Sequence, residues 1–120
     1  MKIILTITAA LLLLLSASCV QKTQKRIVVF TLDVSKVDSI KKVGVRGQEN
    51  PLSWDKDYQM KEIVKDSLYQ VTIVGETGRI CSEFKFSINE KLELEGKENR
   101  KIYFSTKTDT TKASFVFDKE

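Results

Sequence analysis

From Ile27 onward, apolar and polar residues alternate in short runs, the period that sends successive side chains to opposite faces of a β-strand. In the first run, Ile27 to Val34, the apolar positions Val28, Phe30, Leu32 and Val34 share one face, and Lys42 to Arg46 is a second short candidate ending at Gly47. Met60 to Ile63 reads as an edge strand, and Tyr69, Val71 and Ile73 line one face of the next. A turn at Gly75-Glu76-Thr77-Gly78-Arg79 then leads into the alternation Phe84, Phe86, Ile88, which ends at the turn Asn89-Glu90-Lys91. Leu92 with Leu94, Ile102 with Phe104, and Phe115 with Phe117 mark the remaining strands. Val37 and Ile40 have helical spacing, but the segment from Ser35 to Ile40 is too short to hold a helix alone and reads as a loop or single turn. Thr106 to Lys112, rich in threonine, reads as a hairpin connection. Strands recurring at such intervals between turn signals predict an all-β chain, a single antiparallel β-sandwich of about seven or eight strands.

The N-terminal segment follows a different pattern. Lys2 precedes an apolar run from Ile3 to Leu15, too short to span a bilayer comfortably, and small residues Ser16, Ala17 and Ser18 stand before Cys19. This resembles a bacterial lipoprotein signal, Bacteroidota-like in composition. The resemblance implies that residues 1–18 are removed and that Cys19 is lipidated on its thiol as the new N-terminus. An ordinary cleaved signal peptide is the other reading, and both place the mature chain outside the cytoplasm. Residues 19–26 then form a tether of at most about 28 Å when extended, and 27–120 make one domain.

Charge and chemistry narrow the function. The formal net charge of +4 loses one unit with Lys2, and the cluster Lys22, Lys25 and Arg26 falls in the tether, where a solvated linker explains it better than a nucleic-acid patch. No nucleic acid is expected as a partner. With Cys19 lipidated, Cys81 has no partner for a disulfide, and without a histidine in the chain it has no neighbour of the kind that activates a thiol. Glu93 and Glu95 share a strand face rather than facing each other across a cleft, as glycoside hydrolysis requires. Neither a phosphate loop, a nucleophile elbow nor a metal-ligand cluster appears, so the expectation is a non-catalytic protein without cofactor or metal.

Trp54, the only tryptophan, lies in the polar, turn-rich stretch Asn50-Pro51-Leu52-Ser53-Trp54-Asp55-Lys56. A lone large aromatic in such a loop is either a hydrophobic plug or a binding platform. Three motifs bear on that choice: Gly47 followed by Leu52-Ser53-Trp54-Asp55; Glu83-Phe84-Lys85-Phe86; and Leu92-Glu93-Leu94-Glu95-Gly96-Lys97-Glu98-Asn99-Arg100. In this order they resemble starch-binding and glycogen-binding carbohydrate modules with an immunoglobulin-like sandwich fold, over a span from Val28 to about Phe117. The resemblance implies an α-glucan ligand held by Trp54, Lys85 and Asn99. It also implies that Leu94 stands where the family usually supplies a second tryptophan, so that half of the stacking clamp is missing, and modules of this kind are often attached to hydrolases.

Each residue has a physical rationale. An indole plane can cover the C–H face of a pyranose while the sugar hydroxyls stay free to hydrogen-bond. Period-two geometry sends Lys85 away from the core face of Phe84, Phe86 and Ile88, where its ammonium can donate to hydroxyls or simply pair with a cross-strand glutamate. The Asn99 amide both donates and accepts, which suits a vicinal diol, although Asn99-Arg100 can equally shape a turn. Tyr58 and Tyr103 are candidates for a second sugar site by residue type alone. Three readings follow: an envelope lipoprotein that captures a glycan, the same sandwich docking onto an envelope protein, and an accessory subunit of a separately encoded enzyme.

Overall fold

The computed structural model describes residues 22–120, so the signal at 1–18 and the lipidation at Cys19 lie outside the described residues. The described chain has no helix and folds as nine strands: β1 (Gln24–Asp33), β2 (Val43–Gly47), β3 (Tyr58–Gln59), β4 (Lys61–Val64), β5 (Leu68–Thr77), β6 (Cys81–Ile88), β7 (Lys91–Leu92), β8 (Arg100–Tyr103) and β9 (Thr110–Val116). They form two sheets, one ordered β4-β5-β1-β9 and the other β3-β2-β6, with β7 and β8 sharing the far edge of β6. The sandwich expected from the alternation is thus present, with the expected edge strand at β4.

Three details differ from the sequence pattern. The first strand starts at Gln24, because residues Gln24 to Arg26 continue the antiparallel register with Gly75 to Thr77 although their side chains are polar. Thr106 to Lys112 is not a hairpin connection: it carries the chain from β8 in one sheet to β9 in the other, and its last residues already pair with β1. That pairing is parallel, Ile27 to Asp33 against Thr110 to Val116, while the other pairings in the described residues are antiparallel. A parallel neighbour follows from the crossover, which delivers β9 to the edge of β1 at the end where β1 begins.

The inward faces meet in an aromatic centre. Phe30 of β1, Phe84 and Phe86 of β6 and Phe115 of β9 form a cluster with centroid separations from 4.6 Å (Phe30 to Phe84) to 6.3 Å (Phe30 to Phe115). Each ring removed from water contributes roughly 1.5–3 kcal/mol before the entropy of ordering it. Val28, Leu32, Val43, Val45, Ile73 and Ile102 surround this centre, all at positions selected by the period of two.

One edge of β6 is broken, and the break shapes the candidate site. β7 pairs with Ser87 and Ile88, β8 with Cys81 to Phe84, and between them residues 93–99 leave the sheet. The Phe86 amide, which loses its ladder partner there, donates instead to Glu93 Oε2 at 2.8 Å, while Glu93 N donates to Phe86 O at 3.0 Å. A carboxylate therefore replaces a strand.

Candidate functional site

The Gly47–Asp57 segment folds over the open end of the sandwich because glycines allow its close approach. A Cβ on Gly47 would stand 2.9 Å from Leu52 Cδ1, and one on Gly75 would stand 2.5 Å from the Asn50 carbonyl oxygen on the same loop. Leu52 is thereby pressed into the core, with 7% of its surface exposed. Trp54 is 36% exposed. The plug of this loop is Leu52, and the indole is left at the surface beside it.

Trp54 is not free-floating. Arg46, pointing outward from β2, donates from Nη1 to the Trp54 carbonyl oxygen at 3.4 Å and from Nε to Asp57 Oδ1 at 2.6 Å. Ser87 Oγ donates to the same Asp57 oxygen at 2.7 Å, and Asp57 in turn packs over Gly44, whose Cβ would meet it at 2.7 Å. The two ends of the loop are thus fastened to the outer face of the β2–β6 pair. Sequence reasoning did not single out Arg46 or Asp57, and only their positions at the two ends of the loop hinted at a link.

The β-sheet register places two of the expected ligand residues, Lys85 and Asn99, side by side. Arg46 stands across from Lys85, and the β6–β8 pairing ends at Phe84 with Arg100, so Asn99 enters β8 one step beyond, on the flank of Lys85. Arg46, Lys85 and Asn99 therefore form a row across the outer face, with the Trp54 carbonyl bonded to Arg46 at its end. Asn99 is exposed.

Lys85 differs from the expectation of a solvated strand lysine. It lies outside the aromatic core, as the alternation requires, but only 8% of its surface is exposed, because the 93–99 turn folds over it. Its Nζ donates to the Leu94 and Lys97 carbonyl oxygens, both at 2.9 Å. Two of the three N–H groups of this ammonium are thus spent on the turn that covers it.

Leu94 departs further from its expected place in a strand. It adopts a left-handed backbone with φ of 52° inside the turn, its amide donates to Asp118 Oδ1 at 2.7 Å, and its side chain is 4% exposed. It presents no apolar face to a sugar. Glu93, read from the sequence as one of a pair of strand carboxylates, is fully committed: Arg100 Nη2 and Nε donate to its two oxygens at 2.8 and 2.9 Å, and the Phe86 and Asp118 amides donate to them as well. Arg100 also donates to the Val116 and Lys119 carbonyls, and its guanidinium carbon lies 5.0 Å from the Phe115 ring centroid. The Asn-Arg step thus joins the site to the core, Arg100 inward and Asn99 outward.

Tyr58 and Tyr103 are both exposed, Tyr58 on β3 at the edge beyond β2 and Tyr103 on β8 beyond β6, so these two strands do not bring them together. Cys81 is a free thiol, half-buried opposite Tyr103. Among the described residues no group of three or more His, Cys, Asp or Glu side chains is placed to hold a metal ion.

In fold, the chain is similar to a glycoside hydrolase family 15 glucoamylase from Hypocrea jecorina, with a TM-score of 0.59 and 15% sequence identity. The likeness shows the fold. It covers 84% of this chain but 18% of that enzyme, so the sandwich corresponds to a minor part of a much longer protein. No protein-family model matches the sequence, and comparison with curated proteins gives no match.

Proposed function

We propose that this chain is a non-catalytic carbohydrate-binding module, carried on an exported lipoprotein of the cell envelope, whose ligand is an α-glucan of the starch or glycogen kind. The observation that carries this reading is the separation of roles in the 47–57 loop: Leu52 fills the core, which leaves Trp54 exposed at the end of the row Arg46, Lys85 and Asn99. An exposed indole and the exposed amide of Asn99 suit a pyranose, with stacking on its C–H face and hydrogen bonds at its rim. The resemblance of the three sequence motifs and the fold shared with part of a glucoamylase support the same ligand class. A binding role without hydrolysis agrees with Glu93, whose carboxylate is held by Arg100 and two amides and so is not available as an acid or base.

A second reading is favoured by Leu94. With its side chain under the turn, the site has one aromatic wall, and the loss of a second stacking surface weakens a sugar by on the order of 1 kcal/mol. In that case the exposed Trp54 serves as an anchor for an envelope protein, since tryptophan is among the residues enriched at the centres of interfaces.

Native electrophoresis through gels containing amylose or glycogen tests the first reading. The wild-type chain is expected to be retarded and Trp54→Ala to migrate as in a glycan-free gel. If the two migrate alike in every glycan, the sugar site is refuted and the protein-docking reading remains.

A further inference from the structure

The end of the sandwich at which β1 begins carries exposed apolar side chains. Gln24, at the start of β1, pairs with Thr77 at the end of β5, and Ile80, three residues on, is 74% exposed, the most exposed of the large apolar side chains in the described residues. Ile80 O accepts from Phe104 N at 3.0 Å, which sets Ile80 beside the end of β8, where Tyr103 is also exposed. The β8–β9 loop closes the same end, since Ser105 O accepts from Arg26 Nη1 at 3.1 Å and Asp109 O from Ile27 N at 2.8 Å. Arg26 lies over the Phe104 ring, 5.2 Å from its centroid.

The same end also carries cations. Lys22, Lys25 and Lys107 are exposed and form no ion pair with another described residue, while Arg79 is engaged with Glu49 at 2.7 Å. The acids at this end are Glu49, Glu76, which stands opposite Lys25 in the register, and Asp109 on the β8–β9 loop. An exposed aliphatic and a tyrosine at an end that also carries unpaired lysines is a composition that suits the headgroup region of an anionic bilayer.

We propose that this end of the domain docks on an anionic lipid surface, with Ile80 and Tyr103 entering the headgroups and Lys22, Lys25 and Lys107 meeting the lipid phosphates. The inference rests on the lipid-anchor reading of Cys19. Cys19 precedes Gln24 by five residues, which reach at most about 18 Å when extended. A lipid on Cys19 therefore holds this end, and not the opposite one, against the bilayer. Docking fixes the orientation of the domain instead of leaving it to sample all directions.

The test uses the full chain, exported so that Cys19 can be processed, and reconstituted into phosphatidylcholine vesicles containing brominated phosphatidylglycerol, which quenches nearby tryptophan. Two reporters are placed in a Trp54→Phe background: Ile80→Trp at the proposed contact and Val64→Trp at the other end of the sheet, beside Leu68, which pairs with Asp33 at the far end of β1. Val64 is 49% exposed, so neither substitution removes a buried side chain. Emission from Ile80→Trp is expected to fall about twofold or more, emission from Val64→Trp to stay constant, and Lys25→Glu with Lys107→Glu to restore most of the Ile80→Trp signal. Equal quenching at both positions, or none at position 80, overturns the docking. Intact mass separates the two claims: an acylated Cys19 with equal quenching removes the docking alone, whereas an unmodified Cys19 removes the anchor and the docking with it.

Discussion

On one side of Lys85, the 93–99 turn is tied to the core through Glu93, Arg100, Asp118 and the Lys85 ammonium itself; on the other, the 47–57 loop is held at its ends by Arg46 and Asp57 and leaves Trp54 at the surface. Both segments belong to the motifs that resemble carbohydrate-binding modules, yet only the second keeps a large aromatic side chain partly at the surface. The contrast separates what a motif preserves for folding from what it preserves for a ligand. Glu93 and Arg100 are explained by a missing strand partner and a sheet-to-sheet clasp. Trp54 is not, and the proposed glucan site gives the exposed indole a role.

If that division is right, substitutions on the two sides fall into a graded series. Arg100→Met should be the most damaging, because it leaves the Glu93 carboxylate buried without its cation and the Val116 and Lys119 carbonyls without a donor. Breaking a buried pair in this way costs about 3–5 kcal/mol, read as a lower midpoint in urea unfolding. A loss comparable to that of a surface substitution would mean that Glu93 is solvated, and the turn would not be the rigid side.

Leu52→Ala comes next, at about 2–5 kcal/mol by the cavity it leaves under the loop. Lys85→Met strips the Leu94 and Lys97 carbonyls of their donor and should cost about 1–3 kcal/mol, with faster hydrogen exchange confined to residues 93–99. Trp54→Ala should cost less than Leu52→Ala, because the indole is 36% exposed while Leu52 is buried. A Trp54→Ala loss as large as that of Leu52→Ala would reverse the assignment of plug and platform and erase the contrast.

Much of the fold was legible from the chain because the alternation is clean. Val28, Phe30, Leu32, Phe84, Phe86 and Ile88 all face the core as period two requires. Where the pattern stops being binary, it stops being readable. Leu92 and Leu94 continue the alternation on paper, but the left-handed backbone at Leu94 turns the chain out of the sheet, and its causes, Asp118 and Lys85, are distant in sequence. The burial of Lys85 was hidden for the same reason, since parity gives the face of a strand and not what folds over it. The row of Arg46, Lys85 and Asn99 required the register, which residue order alone does not supply. The parallel placement of β9 likewise depends on a crossover whose composition reads as a hairpin.

Because Trp54 is the only tryptophan in the chain, its own emission reports whether a sugar covers it. Titration of the full chain with maltoheptaose is expected to give a saturable change in tryptophan fluorescence, half-complete in the micromolar to millimolar range appropriate to a single stacking platform, on the order of −4 to −8 kcal/mol. Emission that stays constant up to the solubility limit of the oligosaccharide, from a chain whose circular dichroism shows the folded sandwich, would contradict the assignment of Trp54 as a glucan platform.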